Sequence, residues 1–303
     1  MRARTAALSA LVVVALLSDP VWAGGAWVPK PGEGSLQLGA SRKKAQSSWG
    51  THGQILANQG DHDFRYAYLS GEAGLWKGLA ATWTMTYLDG FEGRPNSLEQ
   101  NTGLSDAWFG LKYGFQQESA VPLAVGFTYR TPVFYDQSGP YNRHTFNSDG
   151  TFRGVNSEWR GLLKHDYTLS MLASHSMWDG RGWASVETGY TWREGAPADQ
   201  IPVLADVGLP LPWYRLRAKV SGVFVQSLDN DSPRQPDDRF GSSATNNFND
   251  ASMARLGVSL LMPLDRQQRW YVEAGYNQWV WGRSARRYQE PFISFGRGFG
   301  RGF

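Results

Sequence analysis

The sequence predicts an all-β chain: an antiparallel, up-and-down transmembrane barrel of about twelve strands behind a cleaved signal peptide. Three observations predict it. Apolar and polar residues alternate along short segments, the joins between those segments are long and short in turn, and the composition is rich in glycine and aromatics. The 303 residues include 35 Gly, 14 Trp, 13 Tyr and 15 Phe.

The N-terminus sets the compartment. Arg2 and Arg4 precede an apolar run from Ala6 to Leu17, and Val21-Trp22-Ala23 end in a small residue before Gly24. This pattern reads as a secretory signal peptide over residues 1–23, with the barrel occupying 24–303. The run falls short of the roughly 20 apolar residues that a spanning helix needs. The chain has no Cys, which excludes disulfides, thiolate metal sites and a lipidated cysteine anchor. An exported chain without cysteine fits the bacterial envelope, and a barrel there fits the outer membrane. Removing Arg2, Arg4 and Asp19 from 30 basic and 27 acidic side chains leaves 28 against 26. Such a balance gives no electrostatic case for a nucleic-acid partner.

The strands follow from period. Leu123, Val125, Phe127 and Tyr129 are separated by Ala124, Gly126, Thr128 and Arg130. Leu79, Ala81, Trp83, Met85 and Tyr87 interleave with Ala80, Thr82, Thr84 and Thr86. After Tyr214, Leu216, Ala218, Val220 and Phe224 share one face, and Arg215, Arg217, Lys219 and Ser221 share the other. Strands are expected near 35–45, 62–73, 79–89, 103–115, 122–132, 157–171, 181–193, 200–209, 213–227, 251–263, 269–281 and 287–297. A soluble sandwich could alternate in the same way, and the joins separate the two cases. SRKKAQSSWGTHGQILANQGDH, DGFEGRPNSLEQNT, VFYDQSGPYNRHTFNSDGTFRGVN and SLDNDSPRQPDDRFGSSATNNFND are long and polar, whereas WKG, QQESAV, SHSMWDG, LPW and LDRQQ are tight. Long loops at one end, tight turns at the other and an even strand count are how an outer-membrane barrel is built, and closure removes the edges that lipid would leave unpaired. Trp76, Trp178, Trp213 and Trp270 fall in or beside tight turns and predict a periplasmic aromatic girdle.

With the apolar faces toward lipid, parity sends Arg65, Asp106, Lys112, Glu158, Arg160, Lys164, Asp166, Glu187, Asp206, Arg215, Arg217, Lys219, Arg255 and Glu273 into the lumen. An Arg or Lys on the lipid face near the midplane would cost roughly 2–4 kcal/mol, which drives that assignment. Twelve strands enclose an interior wider than an eight-strand barrel and narrower than a sixteen-strand porin, compatible with a narrow polar pore. Arg215, Arg217 and Lys219 read either as a basic ladder for anionic solutes or as cations paired with Asp206, Glu187 and Glu273. The mixture of signs favours pairing, because buried charges need partners.

Enzyme signals are weak. No nucleophile elbow and no HExxH helix appears. His165 sits on an apolar face between Leu163 and Tyr167, and His175-Ser176 lies at a tight turn beside Trp178. Some twelve-strand barrels are lipases with His and Ser on an outward edge, a minor alternative here. Asp229, Asp231, Asp237 and Asp238 lack the Gly and terminal Glu of a calcium loop. No catalytic, cofactor-binding or metal residue is assigned.

The chain ends in FGRGFGRGF. Counted by twos, Phe295, Arg297, Phe299, Arg301 and Phe303 share one face and the glycines share the other. The expected arrangement has Ile293 and Phe295 facing lipid and Arg297 and Arg301 reaching the periplasmic headgroups, where cations snorkel cheaply. Phe303 supplies the terminal aromatic, which resembles the signal read by the barrel-assembly machinery.

GLSDAWFGLKYGF at 103–115, PLAVGFTYRTP after the next turn, and GRGWASVETGYTWREGAPADQIPVLADVGLPLPWYRL together resemble the outer-membrane proteins described as transporters of the meta-pathway of phenol degradation. The likeness extends over most of 24–303 and to related barrels linked to exopolysaccharide and biofilm clusters. It carries structural positions only: Asp106, Gly110, Lys112 and Tyr113 in the fourth strand, and Gly189, Tyr190 and Arg193 in the seventh. The resemblance bears on fold and location, and the function expected of such a barrel is that of a monomeric channel or transporter passing small, hydrophobic or aromatic solutes by diffusion. The alternative is an exit or accessory barrel for exopolysaccharide or adhesin secretion, with polysaccharide-export components as partners. Either way the surroundings are outer-membrane lipid, lipopolysaccharide and the barrel-assembly machinery, with no cofactor.

Overall fold

A computed structural model describes residues 25–50, 52–94, 97–132, 144–146, 152–155, 165–178, 180–194, 198–212, 216–228 and 251–300. Its strands are β1 (Gly34–Trp49), β2 (Ile55–Trp76), β3 (Leu79–Arg94), β4 (Ser97–Phe115), β5 (Leu123–Thr131), β6 (His144–Phe146), β7 (Phe152–Val155), β8 (Asp166–Met177), β9 (Gly182–Arg193), β10 (Gln200–Pro210), β11 (Arg217–Ser227), β12 (Ser252–Pro263), β13 (Trp270–Arg283) and β14 (Ala285–Phe299). All but β6 and β7, which pair as a separate hairpin, form one closed antiparallel barrel of twelve strands in sequence order, sealed by β1 against β14.

Polarity in this barrel is inside out. Outward residues are large and apolar, with Met171 at 63% and Val258 at 57% exposure, whereas the largest buried side chains include Tyr68, Glu290 and Asp106. Water would penalise that apolar belt and hydrocarbon rewards it, so the barrel spans a membrane. The alternation predicted for 79–87, 123–130 and 216–224 has the expected sense, since Val125, Phe127, Val220 and Phe224 are exposed while Ala80, Thr84, Thr86 and Ala124 are buried.

Three boundaries differ from expectation. The first two long joins are largely strand, because β1 and β2 continue to Trp49 and Ile55 and β3 and β4 to Arg94 and Ser97. Above the lipid both faces of a hairpin can be polar, so pairing goes on after the hydrophobic pattern stops. The strand expected at 157–171 is β8, which runs from Asp166 to Met177. His175 and Ser176 therefore lie within a strand and not in a turn.

The terminal repeat follows the face assignment argued for it. Ile293, Phe295 and Arg297 are exposed, and Gly296 and Gly298 are buried on the inner face. The glycine face has a packing reason: a Cβ on Gly296 would lie 2.1 Å from the Tyr271 ring, and one on Gly39 1.9 Å from the Tyr68 ring. Two inward tyrosines thus lie flat over bare backbone on the neighbouring strands. Residues 301–303, and with them Phe303, lie outside the described residues, as do the proposed signal peptide and the Asp229–Asp238 loop.

Candidate functional site

The lumen holds charges, aromatics and a segment of the chain that precedes β1. Pro31 bridges to Gly74, and the Gly74 amide donates to the Glu33 carbonyl at 2.9 Å. From there the chain passes the β4–β5 turn, where the Val28 amide donates to Gln117 Oε1 at 2.9 Å and Gln117 Nε2 donates to the Ala26 carbonyl at 2.9 Å. It reaches β8, where the Ala26 amide donates to Ser174 Oγ at 2.7 Å. Ala26 is fully buried against Ala124 and Leu172, and Lys112 Nζ donates to the Gly25 carbonyl at 3.0 Å. Residues 25–31 therefore form a strap inside the tight-turn end of the barrel.

The larger of two cavities borders this strap through Gly25 and Trp27, and the smaller shares Lys112, which bonds Gly25. The larger, 510 Å³, is lined by Trp27, Glu72, Trp183, Asp206, Lys219 and Tyr271 among others. The smaller, 50 Å³, lies between Thr84, Trp108, Lys112, Leu172 and Glu187. Both touch Glu187, whose carboxylate is bonded to Ser170 and feels the charge of Lys112.

Charge neutrality inside is local. Lys112 and Glu72 pair at 2.7 Å, and both are almost fully buried. Arg130 pairs with Asp106 and, at 3.5 Å, with Asp166, which also meets Arg193 at 3.5 Å. Lys219 pairs with Glu273, which accepts from Ser259 Oγ at 2.7 Å, and Arg255 stands 3.7 Å from Glu290. Glu290 further accepts from Ser41 and, at 2.9 Å, from Asn277 Nδ2. Each of these ion pairs answers the desolvation cost that a lone inward charge would carry. Aromatic faces add to this: Arg130 lies 4.9 Å over Trp108, Lys43 4.8 Å over Tyr66, and Arg255 5.3 Å over Trp279.

Of the residues assigned to the lumen, Asp106, Lys112, Glu187, Asp206, Arg217, Lys219, Arg255 and Glu273 point inward, as does Asp166. Asp206 is held by Trp183 Nε1 and Ser185 Oγ, and Arg217 donates to Gln268 Oε1 at 2.9 Å. Glu158, Arg160, Lys164 and Arg215 lie outside the described residues. Arg65 is a correction. It shares the outer face with Leu69, its side chain is 53% exposed, and it stands 3.7 Å from Asp89. It lies eleven positions before Trp76 at the tight-turn end of β2. A tilted strand crosses the hydrocarbon in about 9–11 residues, so Arg65 has cleared it and an outward charge costs little there.

The girdle residues are placed as follows. Trp76 is 74% exposed at the end of β2, Trp178 is exposed in its turn, and Trp213 lies outside the described residues. Trp270 stacks on Phe295 at 5.1 Å with the Arg297 guanidinium 4.6 Å over its ring. His175 and Ser176 point to opposite faces of β8. His175 Nδ1 is 2.7 Å from the Ala120 carbonyl, and His165 Nδ1 bonds the Tyr129 hydroxyl at 2.7 Å beside the outer face. Neither arrangement presents a serine nucleophile to its histidine.

Sequence reasoning missed Glu72, Arg193 as a lumen charge, Glu290, Lys43 and the strap. Parity from Ser294 would have found Glu290. Nothing periodic marks residues 25–31.

No family model matches the sequence, and no curated protein does. Among solved structures, the chain superposes on an outer membrane channel from Pseudomonas putida F1 with a TM-score of 0.62 at 10% identity, over 93% of this chain and 100% of that one. At that identity the likeness establishes the fold. Weaker superpositions include the NanC porin, with a TM-score of 0.48 at 8% identity over 88% and 100% of the two chains. The CymD monoaromatic hydrocarbon channel gives 0.46 at 8% identity over 91% and 90%. The molecule is a bacterial outer-membrane β-barrel.

Proposed function

We propose that this barrel is an outer-membrane channel for small solutes, which cross it by diffusion without bond chemistry. The observation that carries the reading is the 510 Å³ lumenal cavity, within the size range of small-molecule sites and lined by aromatic, aliphatic and charged residues together. Trp27, Trp183, Tyr271 and Phe292 give it flat apolar surface, and Lys219 and Glu273 neutralise one another beside it. That mixture suits small hydrophobic or aromatic solutes with a polar handle. The fold shared with the Pseudomonas putida F1 channel supports the same class.

An exopolysaccharide exit has no specific observation behind it. Trp108, an inward aromatic on which a sugar could stack, is covered on one face by Arg130 at 4.9 Å. A deletion strain scored for both solute uptake and secreted polysaccharide separates the two. Slowed uptake with normal polysaccharide is expected, and lost polysaccharide with unchanged uptake would overturn the channel reading.

A further inference from the structure

The outer face of the barrel is not uniform at the extracellular boundary. On β8, β9 and β13 the outward residues at that level are Tyr167, Trp192 and Trp281, all more than two-fifths exposed. On β14, β1, β2 and β3 they are charged: Arg287, Arg42, Lys44, Asp63, Arg65 and Asp89. Parity within each strand fixes the facing. Arg42 and Lys44 follow Leu36 and Leu38, Arg65 shares its face with Leu69, Asp89 shares that of Tyr87, and Arg287 that of Ile293 and Phe295; all five of these hydrophobics other than Asp89's neighbour Tyr87 are aliphatic or Phe, and all are exposed.

Height comes from counting. β1 starts at Gly34, β2 ends at Trp76, β3 starts at Leu79 and β14 ends at Phe299. The charged row therefore stands roughly 8–13 residues from the periplasmic strand ends, where a tilted strand emerges from the hydrocarbon. These groups lie at the headgroups of the outer leaflet and play no part in the lumen.

Their arrangement asks for an anion. Among the described side chains of this face, four cations meet two carboxylates. The ladder sets Arg42 directly opposite Arg65 on this face, a like-charge cross-strand pair that is unfavourable by itself. Asp63 is shared by Arg42 and, at 3.7 Å, Lys44, and Asp89 stands 3.7 Å from Arg65. The side chains of Arg42, Lys44 and Arg65 remain 44%, 52% and 53% exposed. Guanidinium forks held side by side match phosphate geometry bidentately. We infer that the outer wall of β14, β1, β2 and β3 is a docking site for lipopolysaccharide, with Arg42, Lys44, Arg65 and Arg287 receiving the phosphates of its lipid A headgroup. A phosphate between Arg42 and Arg65 removes their repulsion and links β1 to β2.

The test is native mass spectrometry of the full barrel in mild detergent with three probes: bisphosphorylated lipid A, monophosphorylated lipid A and phosphatidylglycerol. The wild type should retain bisphosphorylated lipid A in preference to the other two. Arg42→Gln/Lys44→Gln/Arg65→Gln should lower that retention about tenfold, the equivalent of losing one charge-assisted contact of about 1.4 kcal/mol. Arg297→Gln, at the opposite membrane face, should leave it unchanged. Unchanged retention in the triple variant overturns the site, and equal retention of phosphatidylglycerol overturns its assignment to lipid A. If the triple variant lacks the heat-dependent gel shift of a folded barrel, the wild-type comparison decides: equal retention of the two lipid A forms overturns the proposal.

Discussion

Replacing Lys112 with Met removes one member of a deeply enclosed ion pair. The ammonium sits 2.7 Å from Glu72, both residues are no more than 6% exposed, and the same nitrogen holds the Gly25 carbonyl at 3.0 Å. Breaking a buried pair from one side costs about 3–5 kcal/mol, because the orphaned charge stays desolvated. Glu72 can escape only by taking up a proton. Against an unfolded carboxylate pKa near 4.3, that uptake costs about 3.7 kcal/mol at pH 7 and about 1 kcal/mol at pH 5. Lys112→Met should therefore lose about 3–4 kcal/mol at pH 7 and markedly less at pH 5. Glu72→Gln/Lys112→Met, with no stranded charge, should be more stable than the single variant by about 2 kcal/mol at pH 7. The assay is urea unfolding of the refolded protein in lipid, followed by tryptophan fluorescence and by the gel shift between boiled and unboiled samples. Equal instability of the single and double variants, or a single-variant loss that ignores pH, would refute the reasoning.

Arg130→Met should cost about 3–5 kcal/mol in the same unfolding assay, since it removes a cation from Asp106, which is 0% exposed, and weakens the hold on Asp166. Trp270→Ala should cost about 1–2 kcal/mol, from its stacking on Phe295 and its cation–π contact with Arg297, without altering solute flux. Lys219→Gln/Glu273→Gln removes a neutral pair, so ion selectivity in a planar bilayer should stay within about twofold, whereas Lys219→Gln alone should shift it toward cations.

Where a strand crosses lipid, its sequence carries a strict constraint: every outward residue must be apolar. Val125 and Phe127 against Arg130, or Val220 against Lys219, could therefore be read by counting twos. Above the lipid the constraint lapses. Arg65 stands beside Phe64, which at 7% exposure turns inward in one row with Tyr66 and Tyr68, so an aromatic row that reads as lipid-facing is lumenal there, and parity carried upward from Leu69 would have been the safer guide. The same loss of contrast hid the upper halves of β1 to β4 among the long loops.

In the lumen, Lys112 and Glu273 were legible because they interrupt clean apolar rows. Glu72 was not, because it lies in SGEAG, where small residues blur the alternation. The strap left no signal at all. Its bonds to Ser174, Gln117 and Lys112 join positions far apart in the chain, and AWVPKP has no period to betray them.

The central claim is a membrane-spanning channel narrowed by that strap. Liposome swelling with small uncharged and aromatic solutes, comparing the wild type with a form lacking residues 24–30, tests it most directly. The account predicts slow, size-limited flux for the wild type and faster flux with a raised size limit for the deletion, both forms keeping the folded-barrel gel shift. Folded barrels sealed to every solute with and without the strap would contradict it.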